Sequence, residues 1–332
     1  MSEESRTRPL IEEELDLELI DVDLYRSKRL WRPSRARGVF GGQVVGQALG
    51  AATRTLDPKF HVHSLHAYFL LPGDSRIPII YVVDRIRDGK SFATRSVAAK
   101  QRGRVIFQAL VSFQVPEKSI LSHQIPMPQV PEPEMVPSQE DNMRKLLEDP
   151  KAAKLHKMVR MRLDEPLPIE YRDIVGGETY EPVVSRNTGS GQSKGGAKRM
   201  LWMKSKGRLP DDMSYHHCAV AYCSDHYLLG TAMLQHNVSF SESSNPRLTI
   251  VASLDHTLWF HDVFRADDYL LYIMESSWTG GGRAMMYGRI YTRDGRLVVS
   301  CAQEGLLRAE YNVPKALKDS TPVDPASSKP KL

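Results

Sequence analysis

The chain has 332 residues, 41% of them hydrophobic and 26% charged, enough for about two ordinary domains with buried cores. A formal charge of +5 with acidic residues interspersed suits an anionic small ligand better than a nucleic-acid-binding arm. Three cysteines, Cys218, Cys223 and Cys301, fit a reducing compartment rather than a disulfide framework, and no apolar run reaches the ~20 residues of a membrane span.

Residues 1–15 read as a polar N-terminal segment, unlike a secretory signal. A first patterned block follows over 16–115. Within it VFGGQVVGQALGAA (39–52) predicts a helix over 43–55, small and apolar residues following a Gly-Gly start. HSLHAYFL (63–70), PIIYVVD (78–84) and QRGRVIFQALVSF (101–113) predict strands, the last entered through a hairpin-like Arg-Gly turn. Residues 116–198 form a third unit: a proline-rich extended linker to 137, a charged helical stretch over 139–163, and a Gly/Ser loop, NTGSGQSKGGAK, at 187–198. A second patterned block covers 199–308, and 309–332 reads as a flexible tail.

The two blocks correspond. HSLHAYFL matches ASLDHTLW (252–259), so Ser64 aligns with Ser253. PIIYVVD matches YLLYIME (269–275), and QRGRVIFQALVSF matches RDGRLVVSCAQEG (293–305), with Gly103 opposite Gly295. More loosely, VFGGQVVGQALGAA can be set against YCSDHYLLGTAML (222–234), placing Gln43 opposite Asp225. Each block thus predicts an entry strand, one apolar helix and a series of antiparallel strands: a duplicated α+β unit.

SLDHTLWFH (253–261) gathers an aspartate and two histidines, but a strand over 251–261 points Asp255 and His256 to opposite faces. Asp255 and His261 share a face yet stand about 20 Å apart at ~3.4 Å per residue. Local metal ligation requires donors converging on one ion, so structural roles are expected for these residues. A sharper signal is Gln303. Leu297, Val299, Cys301 and Gln303 share a face, and their counterparts Val105, Phe107, Ala109 and Val111 are all apolar. Burying that amide without partners costs roughly 2 kcal/mol or more, so it is either satisfied structurally or serves a ligand. Asp225 is an N-cap or a carboxylate available as a base beside an apolar helix.

A serine nucleophile is not favoured, because the Ser/Gly text sits only in the loop around Ser190 rather than between a strand and a helix. The cysteines have apolar neighbours and are expected to pack. Gly280-Gly281-Gly282 before Arg283 is either a phosphate cradle or a strand irregularity.

Taken together and in order, FGGQVVGQAL, HSLHAYFLLPGD, RDGKSFATRSV, YCSDHYLLGTA, SLDHTLWFH and CAQEGLLR resemble the type II acyl-CoA thioesterases over about 16–308. The resemblance implies a double hotdog, two long helices each wrapped by a curved antiparallel sheet. It also implies hydrolysis of fatty acyl-CoA to free fatty acid and CoA. The family's Asp, Ser/Thr and Gln triad carries over to Asp225, Ser253 and Gln303, which would activate and position a water. Gln43, Arg87, Lys90 and Arg283 are candidate substrate-binding residues. No metal or organic cofactor is expected, and a homo-oligomer is. Two other classes stay open at this point: a non-hydrolytic acyl-CoA-binding hotdog protein, and a hotdog enoyl-CoA hydratase. The C-terminal Pro330-Lys331-Leu332 is close to the Ser-Lys-Leu peroxisomal address, with proline in place of a small residue, so a peroxisomal import receptor is an expected partner.

Overall fold

The computed structural model describes residues 8–34, 36–174, 197–236, 238–241 and 244–311. The tail with its C-terminal tripeptide, the segment around Ser190 and the first seven residues lie outside the described residues.

In the first half, β1 (Leu17–Asp21) and β2 (Leu24–Ser27) lead to α2 (Gly41–Thr53), preceded by a short α1 (Leu10–Leu15). Then come β3 (His61–Phe69), β4 (Ile80–Asp88), β5 (Phe92–Gln101) and β6 (Arg104–Gln114). Between the halves lie α3 (Gln139–Glu148), α4 (His156–Leu163) and β7 (Ile169–Asp173). The second half has β8 (Ala197–Ser205), α5 (Met213–Ser224), α6 (Leu228–Ala232), β9 (Arg247–Ser253), β10 (Asp255–Phe260), β11 (Leu270–Gly280), β12 (Arg283–Thr292) and β13 (Leu297–Glu310). All join one antiparallel sheet in the order β1-β2-β4-β5-β6-β3-β10-β13-β12-β11-β8-β7, with β9 also on β13. The order β2-β4-β5-β6-β3 is repeated as β8-β11-β12-β13-β10, and the copies meet at β3–β10. This is the duplicated α+β unit that the sequence predicts, and the double hotdog that the resemblance implies.

The seam preserves the duplication residue by residue. β3 and β10 pair antiparallel with Ala67 opposite His256, Tyr68 opposite Asp255 and His66 opposite Thr257. Under the alignment of Ser64 with Ser253, Ala67 corresponds to His256, so the seam is symmetric about that pair. The faces are also as the sequence alternation predicts: Phe107, Ala109 and Val111 are buried on β6, and Val299, Cys301 and Gln303 on β13.

The core lies between the sheet and the helices. α2 buries Val44, Val45, Ala48, Leu49, Ala51 and Ala52, a nearly all-round apolar surface that no solvated helix would carry. It packs directly on α5, and Gly42 permits the approach: a Cβ there would stand 2.1 Å from the Tyr222 carbonyl oxygen.

Four expectations need correction. Residues 10–15 are not merely a polar segment, because Ile11 and Glu14 are buried against the core in α1. The inter-repeat unit contributes a strand, β7, paired with β8 through a buried Asp173–Arg199 ion pair. Gly281 and Gly282, both at positive φ, form the two-residue turn between β11 and β12 rather than a cradle. The strand expected over 251–261 is two strands broken at Leu254: the Asp255 carboxylate accepts the Glu304 amide at 2.6 Å, replacing a ladder bond at the break.

Candidate active site

Asp225 is not an N-cap. It ends α5, where the chain tightens: His226 N–H bonds the Cys223 carbonyl, and Tyr227 takes a left-handed conformation (φ 71°) before α6 starts. For a residue with a Cβ this conformation costs roughly 1–2 kcal/mol, which neighbouring contacts must offset. The apolar runs on either side explain the location. AVAYC packs against α2 and LLGTA packs onto β11 and β12, so the polar residues between them mark the corner.

Gln303, fully buried on β13, faces that corner. Its Nε2 donates to Asp225 Oδ1 at 2.6 Å and to Ser253 Oγ at 3.1 Å. A carboxylate can only accept, so the Asp225 partner fixes which end of the amide faces the pair. The amide's Oε1 is buried with no hydrogen-bond partner. Ser253 is the last residue of β9, opposite Gly305, which places it on the break where Asp255 diverts the ladder. Thus the polar residue with an apolar repeat partner finds two acceptors, and both are the other residues of the predicted triad.

The second Asp225 oxygen faces the first half. A Cβ built on Gly41 would stand 2.8 Å from Asp225 Oδ2 and 3.1 Å from the Phe69 ring. α2 has no side-chain N-cap, and the first amides of any helix lack intrahelical acceptors. The positive end of α2 therefore abuts the carboxylate, a favourable arrangement for negative charge. The Gly-Gly pair, which in the sequence marks only a helix start, also brings that start against Asp225.

Behind the corner, His256 Nε2 lies 2.9 Å from Ser224 Oγ, and Ser224 Oγ donates to the Ala221 carbonyl. The ring nitrogen is therefore the donor. Burial holds the imidazole below its ordinary pKa, opposed by the nearby Asp225 charge, so it is a neutral ring. Tyr272 OH donates to the Ser224 carbonyl at 2.7 Å. Asp255, His256 and His261 have three separate partners, the Glu304 amide, Ser224 and Ser300. Among the described residues no three His, Cys, Asp or Glu side chains are grouped to hold a metal. The three cysteines are buried, and burial pushes the Cys218 and Cys301 thiols up to about 12.

The four candidate substrate contacts do not gather at the corner. Gln43 is fully buried and its amide is consumed by the Glu14 backbone and carboxylate, the Arg29 carbonyl and the Trp31 N–H. It faces inward because α2 buries that side against α1 and the 29–31 segment, so it presents nothing to a ligand. Arg87 and Lys90 are exposed at the β4–β5 hairpin, at the end of the sheet marked by His61 and Gln114. Asp225 lies instead near Phe69, eight residues along β3, or about 27 Å of extended strand. Arg283 is exposed: it opens β12 opposite Leu306 and pairs at 3.4 Å with Glu304, whose side chain lies on the other face of β13 from Gln303.

Comparison with known proteins agrees with this architecture. A family model described as acyl-CoA thioesterase matches residues 177–306, and one described as acyl-CoA thioesterase N-terminal domain matches 29–114. Acyl-coenzyme A thioesterase 8 of Mus musculus is 41% identical over 309 residues, covering 92% of this chain and 90% of its own. Acyl-CoA thioesterase 2 of Haemophilus influenzae is 35% identical over 294 residues, covering 89% and 95%. Among solved structures, an acyl-CoA thioesterase II from Mycobacterium marinum superposes with a TM-score of 0.68 at 38% identity, covering 92% of this chain and 99% of that one. The chain belongs to the acyl-CoA thioesterase family, the hydrolases of acyl-CoA thioesters.

Proposed function

We propose that this chain hydrolyses fatty acyl-CoA with a water activated by Asp225 and positioned by Ser253 and Gln303. The observation that carries the reading is the Gln303 amide, which donates from one nitrogen to both Asp225 and Ser253. That bond occupies Oδ1 and leaves Oδ2 as the proton acceptor. A water between Oδ2 and the Ser253 hydroxyl is held by groups whose own orientations are fixed, the condition for an effective general base. As the water oxygen bonds to the thioester carbonyl carbon, its proton passes to Asp225. The C–S bond then breaks, the thiolate takes that proton from Asp225, and free acid and CoA leave.

The tetrahedral intermediate needs donors aimed at its oxyanion. Gly41 adjoins Asp225 Oδ2, and the first-turn amides of α2 at Gly41 and Gly42, which have no side-chain cap, are the assigned donors. On this reading the first half supplies the oxyanion donors and pocket wall, and the second half supplies the base. Arg283, exposed at the same end of β12, is the assigned contact for the anionic CoA portion. The reaction as written requires no metal or organic cofactor.

Asp225→Asn keeps the shape of the side chain and removes its basicity. Thiol release from acyl-CoA should fall by at least about a hundredfold with thermal stability retained. Turnover near that of the parent would overturn the assignment. We further assign the C-terminal Pro-Lys-Leu as a receptor-read peroxisomal address. Deleting the last three residues of a fluorescent fusion should disperse it, and unchanged localisation would refute the address. A homo-oligomer is proposed as the working form, testable by light scattering: a mass of one chain would overturn it.

A further inference from the structure

The corner that carries Asp225 is held from outside its own repeat. His226 and Tyr227 stack with ring centroids 4.2 Å apart and planes 3° from parallel. Tyr171 of β7 packs edge-on against both, at 5.0 and 5.1 Å. Arg162 of α4 approaches His226 Nε2 at 3.3 Å, and His226 Nδ1 lies 3.0 Å from Tyr171 OH. An arginine can only donate, so Nε2 is the accepting nitrogen and Nδ1 carries the proton. Burial and the Arg162 and Arg199 charges hold His226 well below its ordinary pKa, in keeping with that neutral tautomer. Tyr227 OH donates to Gln139 Oε1 of α3 at 2.6 Å, and the Arg199 guanidinium lies over its ring at 4.0 Å.

The same arginine also reaches the other side of the site. Arg162 Nη1 bonds Glu165 Oε2 at 2.5 Å, and Glu165 Oε1 accepts the Ser34 amide at 3.1 Å. Ser34 belongs to the segment that enters α2 through Phe40, whose ring lies 5.5 Å from His226. Arg162 therefore touches the corner that carries the carboxylate and, through Glu165, is linked to the segment that leads into the uncapped start of α2.

From this geometry we infer that Arg162 is a positioning residue for hydrolysis. Acting through His226 and Glu165, it clamps the Asp225 corner of the second repeat against the α2 entry of the first. The inter-repeat segment is thus part of the catalytic apparatus, and Tyr227 and Gln139 form the second arm of the clamp. The inference rests on Asp225 as the base.

The test compares Arg162→Ala, Tyr227→Phe and Asp225→Asn in the full chain, with kcat and KM from thiol release and with thermal unfolding. Arg162→Ala should lose kcat on the order of a hundredfold with KM within about twofold, because a displaced base and donor pair affects the chemical step most. Added guanidinium ion, filling the vacated fork, should restore part of that kcat. Tyr227→Phe removes one hydroxyl, keeps the packing, and should lower kcat severalfold while the melting midpoint falls by no more than roughly a few degrees. It tests the same clamp should Arg162→Ala fail to fold. Unchanged kcat in either folded variant, or a kcat loss that only follows the unfolded fraction and ignores guanidinium, would overturn the clamp. Full activity in Asp225→Asn would instead overturn the reading beneath it, so the two failures are distinguishable.

Discussion

Ala67 and His256 occupy the same repeat position and face each other across the seam between β3 and β10. One half keeps a methyl group there, while the other places a buried imidazole that reaches Ser224 at 2.9 Å, one residue before Asp225. The duplicated sheet is therefore symmetric in backbone and asymmetric in chemistry. Replacing His256 with the residue its repeat carries, His256→Ala, leaves a cavity and removes the Ser224 bond. Denaturant unfolding should show a loss of about 2–4 kcal/mol.

Ser253 tests the division of labour within the triad. Its hydroxyl accepts from Gln303 and retains its own proton for the water. Ser253→Ala should lower kcat on the order of a hundredfold, whereas Ser253→Thr, which keeps the hydroxyl, should stay within about tenfold of the parent. Equal activity in the two variants would remove Ser253 from the site.

Two adjacent glycines should separate folding from catalysis. A methyl group at Gly42 meets the Tyr222 carbonyl at 2.1 Å, so Gly42→Ala forces α2 from α5 and should cost about 2 kcal/mol or more of stability. At Gly41 the same methyl group meets Asp225 Oδ2 at 2.8 Å. Gly41→Ala should therefore lower kcat by roughly tenfold or more at a smaller cost in stability. Thermal unfolding beside steady-state kinetics distinguishes the two.

Glu14 predicts a pH dependence of stability that is independent of catalysis. Its carboxyl is fully buried in α1, and burial raises its pKa from 4.5 to about 7 against the opposing pull of Arg29. Between those values the native chain holds a proton that the unfolded chain has released. Stability from this group is thus complete below about pH 4.5 and declines as pH rises toward 7, by up to about 3 kcal/mol, then stays level. Groups held low, such as Asp16 and Asp23, act with the opposite sign and at lower pH. The decline should vanish in Glu14→Gln when unfolding free energies are compared at pH 5.5 and 8. A parallel decline in both proteins would show that Glu14 is not its source.

Much of the fold was legible because a duplicated sheet repeats its alternation and its turns. Val105, Phe107, Ala109 and Val111 against Leu297, Val299, Cys301 and Gln303 gave the buried face of both last strands, and one polar exception marked the candidate site. The helix of the first half also followed from local composition. The corner after Asp225 did not, because its left-handed Tyr227 is held by Gln139 and Arg199 and its His226 by Arg162, all remote in sequence. Nor did the break at Leu254, which depends on a bond from Asp255 to a strand some fifty residues later. Gln43, Arg87 and Lys90 were candidates by chemistry alone, and side-chain chemistry says nothing of which end of a sheet a hairpin occupies.

The amino-acid sequence by itself determined the duplication and the strand faces, and it named Asp225, Ser253 and Gln303 as candidates. Periodicity and the residue types of turns are local properties, and the motifs carrying the family resemblance are contiguous. Only the tertiary structure decided that Gln303 bridges the other two, that the start of α2 from the first repeat meets the carboxylate of the second, and that Arg162 of α4 links the Asp225 corner, through Glu165, to the segment entering α2. Those relationships depend on the seam at Ala67 and His256, where two halves far apart in the chain form one sheet and bring their helix ends together.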